Sequence, residues 1–116
     1  MAQSHPVYAT GAVSGTSDVG GLCGKNYYGT ITSCYATGAV SGDWNVGGLC
    51  GSNDRGTIRG SFWDTDTSGM TTSAGGTGKT TAQMKDINTF LNAGWDFTVT
   101  DNTPAVWYMP EGDYPG

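Results

Sequence analysis

Three segments of this 116-residue chain have residue types and spacings that invite chemistry. Asp64-Thr-Asp66-Thr-Ser68-Gly69 sets oxygen ligands at alternate positions before a glycine, the first half of a calcium-binding loop. The twelfth position, where a bidentate glutamate belongs, is Gly75, so Asp64, Asp66 and Ser68 would form a weak calcium site. Their competing role is to form turns. Ser73-Ala-Gly-Gly-Thr-Gly78-Lys79-Thr80 approaches a phosphate-binding loop, yet serine replaces its first glycine and no apolar strand leads into it. Those glycines read instead as a flexible exit from the preceding segment. Tyr27, Tyr28 and Trp44 are flat aromatic faces among polar neighbours, suited to stacking on sugars or anchoring a protein partner.

Acid–base chemistry has little to work with. His5 is the only histidine and Glu111 the only glutamate, which leaves no nucleophile–base set. Asp64 and Asp66 lie two apart on a turn, with nothing to separate their pKa values into an acid and a base. The expectation is a protein that is not an enzyme and has no cofactor beyond the weak calcium candidate. Cys23, Cys34 and Cys50 have no histidine beside them for zinc. Cys23 and Cys50 could pair as a disulfide, but the stronger reading is that they are buried free thiols packed as small apolar residues beside Leu22 and Leu49.

The elements that position these residues are set by a tandem repeat. Val7–Ser33 and Cys34–Gly60 agree at 18 of 27 positions without a gap, and a third unit starts at Ser61 and breaks after Gly69. Units of this length build arrays in which each buries its apolar face against the next. Helix formers are too sparse for helical repeats. Short apolar spots between glycines read as three strands and three glycine corners per unit. The fold class expected is mainly β: a short right-handed parallel β-solenoid of 27-residue coils with a C-terminal capping helix and short strands. Such coils stack at about 4.8 Å and place equivalent residues over one another. Tyr8, Tyr35 and Phe62 would then form an aromatic ladder, and Val13/Val40, Val19/Val46, Leu22/Leu49 and Ile31/Ile58 would fill the interior. An antiparallel sandwich suits the same strands but has no need of one register repeated.

Residues 1–69 are thus the repeats (7–33, 34–60 and a partial 61–69), and 70–116 a capping region. Thr80-Thr-Ala-Gln83 is a capping box, followed by Met84, Ile87 and Leu91 at helical spacing and by Gly94. One amphipathic helix is expected at about 81–93, closing the last coil together with strands near 95–99 and 106–108.

The strings V-G-G-L-C-G, N-x-x-G-T-I and Y-A-T-G-A-V-S-G closely resemble the GLUG repeat of bacterial surface and secreted proteins, with its core at Gly21-Leu22-Cys23-Gly24 and Gly48-Leu49-Cys50-Gly51. Ser61–Gly69, Gly75–Thr81, Gly94–Phe97 and Trp107–Pro115 resemble the segment that closes such arrays. The resemblance implies an adhesin-like or haemagglutinin-like surface protein, extracellular or at the cell surface, whose repeats carry no established chemistry.

Twenty glycines and 13% charged residues fit that setting. A net charge of −5 argues against nucleic acid and anionic membrane surfaces as partners, and no apolar stretch is long enough to insert in a membrane. The opening inside a repeat, at Val7-Tyr8, suggests a fragment of a longer array. The partners expected are a protein or glycan ligand, or a second chain through the N-terminal solenoid edge.

Overall fold

A computed structural model describes residues 7–97, 107, 109, 110 and 112–115. The first repeat unit forms β1 (Val7–Ala9), β2 (Val13–Ser14), β3 (Ser17–Gly20), β4 (Cys23–Tyr27) and β5 (Thr30–Thr32). The second forms β6 (Cys34–Ala36), β7 (Val40–Ser41), β8 (Trp44–Gly47), β9 (Cys50–Asp54) and β10 (Thr57–Arg59). The chain continues through β11 (Phe62–Asp64), α1 (Thr65–Ser68), β12 (Thr77–Lys79), α2 (Thr81–Met84) and α3 (Ile87–Leu91). The protein is mainly β, and its strands pair in parallel.

Each strand of the first unit pairs with its counterpart in the second at a constant offset. Tyr8 lies opposite Tyr35, Val13 opposite Val40, Val19 opposite Val46, Cys23 opposite Cys50 and Ile31 opposite Ile58. Phe62 of the third unit adds to Tyr35, and β12 adds to β11, giving one sheet in the order β1-β6-β11-β12. Like residues therefore stack on like, which makes a repeated sequence self-complementary along the stacking direction. An amide ladder reinforces this: Asn26 Nδ2 donates to Asn53 Oδ1 at 3.0 Å, and each amide also donates to a carbonyl three residues on, at Gly29 or Gly56.

The corners differ from expectation. Left-handed backbone occurs at equivalent places in the two units: Asp18 and Asn45, Tyr28 and Arg55, Ser33 and Gly60, with φ between 50° and 59°. Five of the six are not glycine, and each unit has five short strands rather than three. The central glycines serve close packing instead. A Cβ on Gly48 would lie 2.0 Å from Trp63 Cδ1, so only hydrogen fits beneath the indole.

Two cores result. Between the strands, Ala36, Leu49 and Trp63 pack with Leu22 and Ile58. On the other face of the four-stranded sheet, Tyr35 and Phe62 pack with Met84, Phe90, Trp95 and Trp107. The aromatic ladder thus faces outward from the unit interior, and the C-terminal region folds back along it instead of sitting over the last unit. Trp95 and Trp107 stack at 4.2 Å, and Trp107 reaches Tyr8 of the first unit at 6.3 Å. The last unit is covered by the segment read as a flexible exit. Gly48 N–H donates to the Thr72 carbonyl, Ala74 N–H donates to the Cys50 carbonyl, and Ser73 Oγ accepts from the Leu49 and Cys50 amides.

The expected single helix at 81–93 is two. The Thr80–Gln83 capping box forms, but α2 ends at Met84, and Asp86 turns to extended backbone, accepting from Asn88 N–H to start α3. That break resets the helical phase. Met84 and Phe90 are buried, whereas Leu91 is exposed and Ile87 half-buried. Residues 95–97 form no strand, and the remainder of the two expected C-terminal strands lies outside the described residues, apart from Trp107, which is not in a strand.

Candidate functional site

The most exposed large side chains of the repeats are the aromatics marked in the sequence: Trp44 at 69%, Tyr27 at 59% and Tyr28 at 58% of full exposure. The left-handed turn at Tyr28 and Arg55 follows β4 and β9 and is held from beneath by the Asn26–Asn53 ladder. At this turn Tyr27 and Tyr28 meet edge to face, with ring centres 4.5 Å apart. Each ring carries a cation at 5.6 Å, Lys25 Nζ over Tyr27 and the Arg55 guanidinium over Tyr28. Arg55 also donates to the Tyr28 hydroxyl, and its Nε lies 3.9 Å from Asp54 Oδ1. An exposed cation–π contact contributes roughly 0.5–1 kcal/mol, enough to bias the ring orientations. Trp44 stands apart on β8, opposite Ser17 and beside the Asn45–Asp18 hydrogen bond of 3.2 Å. Among the described residues no ring contact joins it to the tyrosine pair, so the structure forms two aromatic spots. Their chemistry is stacking and hydrogen bonding.

The aspartates of the calcium-like segment are held in a hydrogen-bond network. Asp64 ends β11 fully buried and caps α1, its Oδ1 accepting from the amides of Asp66 at 2.8 Å and Thr67 at 3.1 Å. Its Oδ2 accepts from the hydroxyls of Thr81 and Tyr114, both at 2.6 Å. Four donors fill the lone-pair sites of one carboxylate. Burial pushes the Asp64 carboxyl up, but these donors outweigh it and hold the group below the usual range. Tyr114 is pushed up by burial first and then by its bond to Asp64. Asp66 accepts from Thr81 N–H, and the Ser68 hydroxyl turns to the backbone of Met70. Asp64 therefore fastens three separate pieces of chain: the turn after β11, the start of α2 and the C-terminal tail. Among the described residues no three His, Cys, Asp or Glu side chains gather as a metal site. Tyr114 is the partner that sequence spacing did not indicate.

Lys79 of the phosphate-loop lookalike lies on strand β12, the Ser73 hydroxyl is engaged by the second unit, and the Ala74 and Thr77 amides donate to the Cys50 and Ser61 carbonyls. All three cysteines are free thiols. Cys34 and Cys50 are pushed up by burial, which keeps them protonated and unreactive at neutral pH.

Comparison with known proteins agrees with the repeat. Residues 15–41 match the family model of the GLUG motif. A protein of Evansella cellulosilytica, named as a Gly-rich membrane protein, is 42% identical over 110 residues. That match spans 93% of this chain and 9% of the relative, so the chain corresponds to a small part of that protein. No solved structure matches the chain. Among the described residues no helix is long and apolar enough to cross a membrane.

Proposed function

Taking the GLUG motif at residues 15–41 and its in-register second copy as the premise, we propose that this chain is a non-catalytic repeat module of an adhesin-like protein of the bacterial cell envelope. On this reading it is a short right-handed parallel β-solenoid that acts as a scaffold and holds aromatic side chains out to a glycan or protein ligand on the extracellular side. The observation that carries it is the constant pairing of equivalent residues through every strand of the first two units. A stack of this kind lengthens by adding units without redesign, which suits a stalk. The envelope location draws support from the name of the Evansella cellulosilytica relative.

The test is binding of a panel of neutral oligosaccharides, followed by tyrosine and tryptophan fluorescence. The reading expects saturable quenching that is lost in the Tyr27→Ala/Tyr28→Ala/Trp44→Ala variant. Equal binding by wild type and triple variant removes the aromatic surface from the account.

A second reading, self-assembly, is favoured by β1. This strand is at one edge of the four-stranded sheet, with Val7 50% and Tyr8 47% exposed, and an open edge over an intact ladder can template a further chain. Sedimentation velocity across a wide concentration range separates the two: a scaffold module stays monomeric, while an assembling one shifts to dimers or filaments.

A further inference from the structure

The chain carries five cations in a background of net charge −5. Three of them sit over aromatic rings: Lys25 on Tyr27, Arg55 on Tyr28 and Lys85 on Tyr114. The other two, Arg59 and Lys79, have no ring or carboxylate partner among the described residues, and both line one groove. This groove of about 730 Å³ is lined by the end of the strand stack and by helices α2 and α3, and is shallow and broadly open to solvent. Gln83, Asn88 and Asn92 are also in its lining. Gln83 uses its oxygen in the capping box and keeps its NH₂ free to donate. The one carboxylate in the lining, Asp86, is already accepting from Asn88 N–H as the cap of α3.

We propose that this groove binds an acidic saccharide, a sugar chain bearing carboxylate groups. A guanidinium takes a carboxylate in a two-pronged contact, and an ammonium adds a second point charge. Side-chain amides supply the donors and acceptors that sugar hydroxyls need. The volume lies within the range of ligand sites, roughly 300–1,000 Å³. The lining mixes amides, hydroxyls and charge with apolar surface, Phe62 and Ala93 among it, a mixture that suits the polar edges and C–H faces of sugar rings, whereas an extended acidic peptide would want regularly spaced apolar seats for alternate side chains. In a chain of net charge −5, two cations lining one groove make it a more favourable place for an anion than the rest of the surface. The site shares no residue with Tyr27, Tyr28 or Trp44 and stands independently of their role.

The experiment uses tetragalacturonate and its fully methyl-esterified form, identical in skeleton but uncharged, with titration calorimetry and amide NMR shifts at low salt. Expected are shifts confined to the residues lining the groove and binding of the ester at least about tenfold weaker. Arg59→Ala and Lys79→Ala should each weaken tetragalacturonate about tenfold, the scale of one charge-assisted hydrogen bond, while Tyr27→Ala leaves it unchanged. The ester comparison needs only the wild-type protein, so a variant that fails to fold does not close the test. Absence of shifts at millimolar probe, equal binding of acid and ester, or an equally tight fit of a polyglutamate peptide on the same residues overturns the proposal.

Discussion

Replacing Gly48 with alanine tests how tightly one unit is pressed on the next. A Cβ there would lie 2.0 Å from Trp63 Cδ1 and 2.3 Å from its Nε1. The indole has little room to yield, since it is 5% exposed, packs with Ala36 and Leu49, and donates to the Met70 carbonyl at 2.8 Å. Overpacking of a filled core costs about 1–3 kcal/mol, and losing the indole hydrogen bond adds about 1 kcal/mol. The expected loss is thus about 2–4 kcal/mol, a large share of the roughly 5–15 kcal/mol that holds a domain together. Gly11→Ala is the internal control: a Cβ there meets nothing within 4 Å, and the smaller unfolded-state entropy predicts a change between zero and about 1 kcal/mol of stabilisation. Urea unfolding followed by tryptophan fluorescence and circular dichroism reads both variants, with an unchanged m-value confirming that stability alone has moved. A Gly48→Ala protein within about 0.5 kcal/mol of wild type, the scale of a neutral surface change, would refute the packing argument. So would equal destabilisation by the two substitutions.

The C-terminal docking predicts a contrast between neighbours: Phe90→Ala, at 0% exposure, should cost about 3–5 kcal/mol. Leu91→Ala, at 44% exposure, should change the denaturation midpoint little; the reverse order would place the helix face wrongly. Asp64 has a depressed folded-state pKa, so its contribution is present above the unfolded value of about 3.9 and is lost as pH falls through the folded one. Asp64→Asn should therefore flatten the acid limb of the stability profile, and an acid limb identical to wild type counts against the clamp. Tyr35 is pushed up strongly by burial, and Tyr114, Cys34 and Cys50 are raised as well. The stability tied to Tyr35 is present below its unfolded value of about 10 and declines as pH rises above it, which melting curves across alkaline pH can follow. With a thiol reagent on the folded protein, Cys23 should react first and Cys34 and Cys50 slowly, all three becoming equivalent in denaturant.

The register of the stack was legible because stacking repeats a chemical environment every 27 residues, and a self-pairing sequence has to repeat with it. The corners were not. Asp18, Tyr28 and Ser33 adopt left-handed backbone that no glycine announces, while Gly48 is fixed by an indole from the next unit. The start of α2 was readable from its capping box, but Asp86 looks like any polar helix residue until its carboxylate is seen capping a second helix. The path of the C-terminal region depends on partners far along the chain: Tyr35 donates to the Pro115 carbonyl, and Asp64 meets Tyr114, 50 residues away. Tyr27, Tyr28 and Trp44 stood out because they break an otherwise matched repeat. The groove of Arg59 and Lys79 left no local signal, since the fold alone brings a strand of the second unit beside β12 and the helices.

The in-register stack is tested most directly by interstrand nuclear Overhauser contacts in the isotope-labelled protein. The account predicts amide and side-chain contacts between residues separated by a constant 27, at Tyr8–Tyr35, Val13–Val40, Asn26–Asn53 and Ile31–Ile58, all in the parallel pattern. Close Hα–Hα contacts between strands running in opposite directions, at sequence separations that vary along the chain, would contradict it.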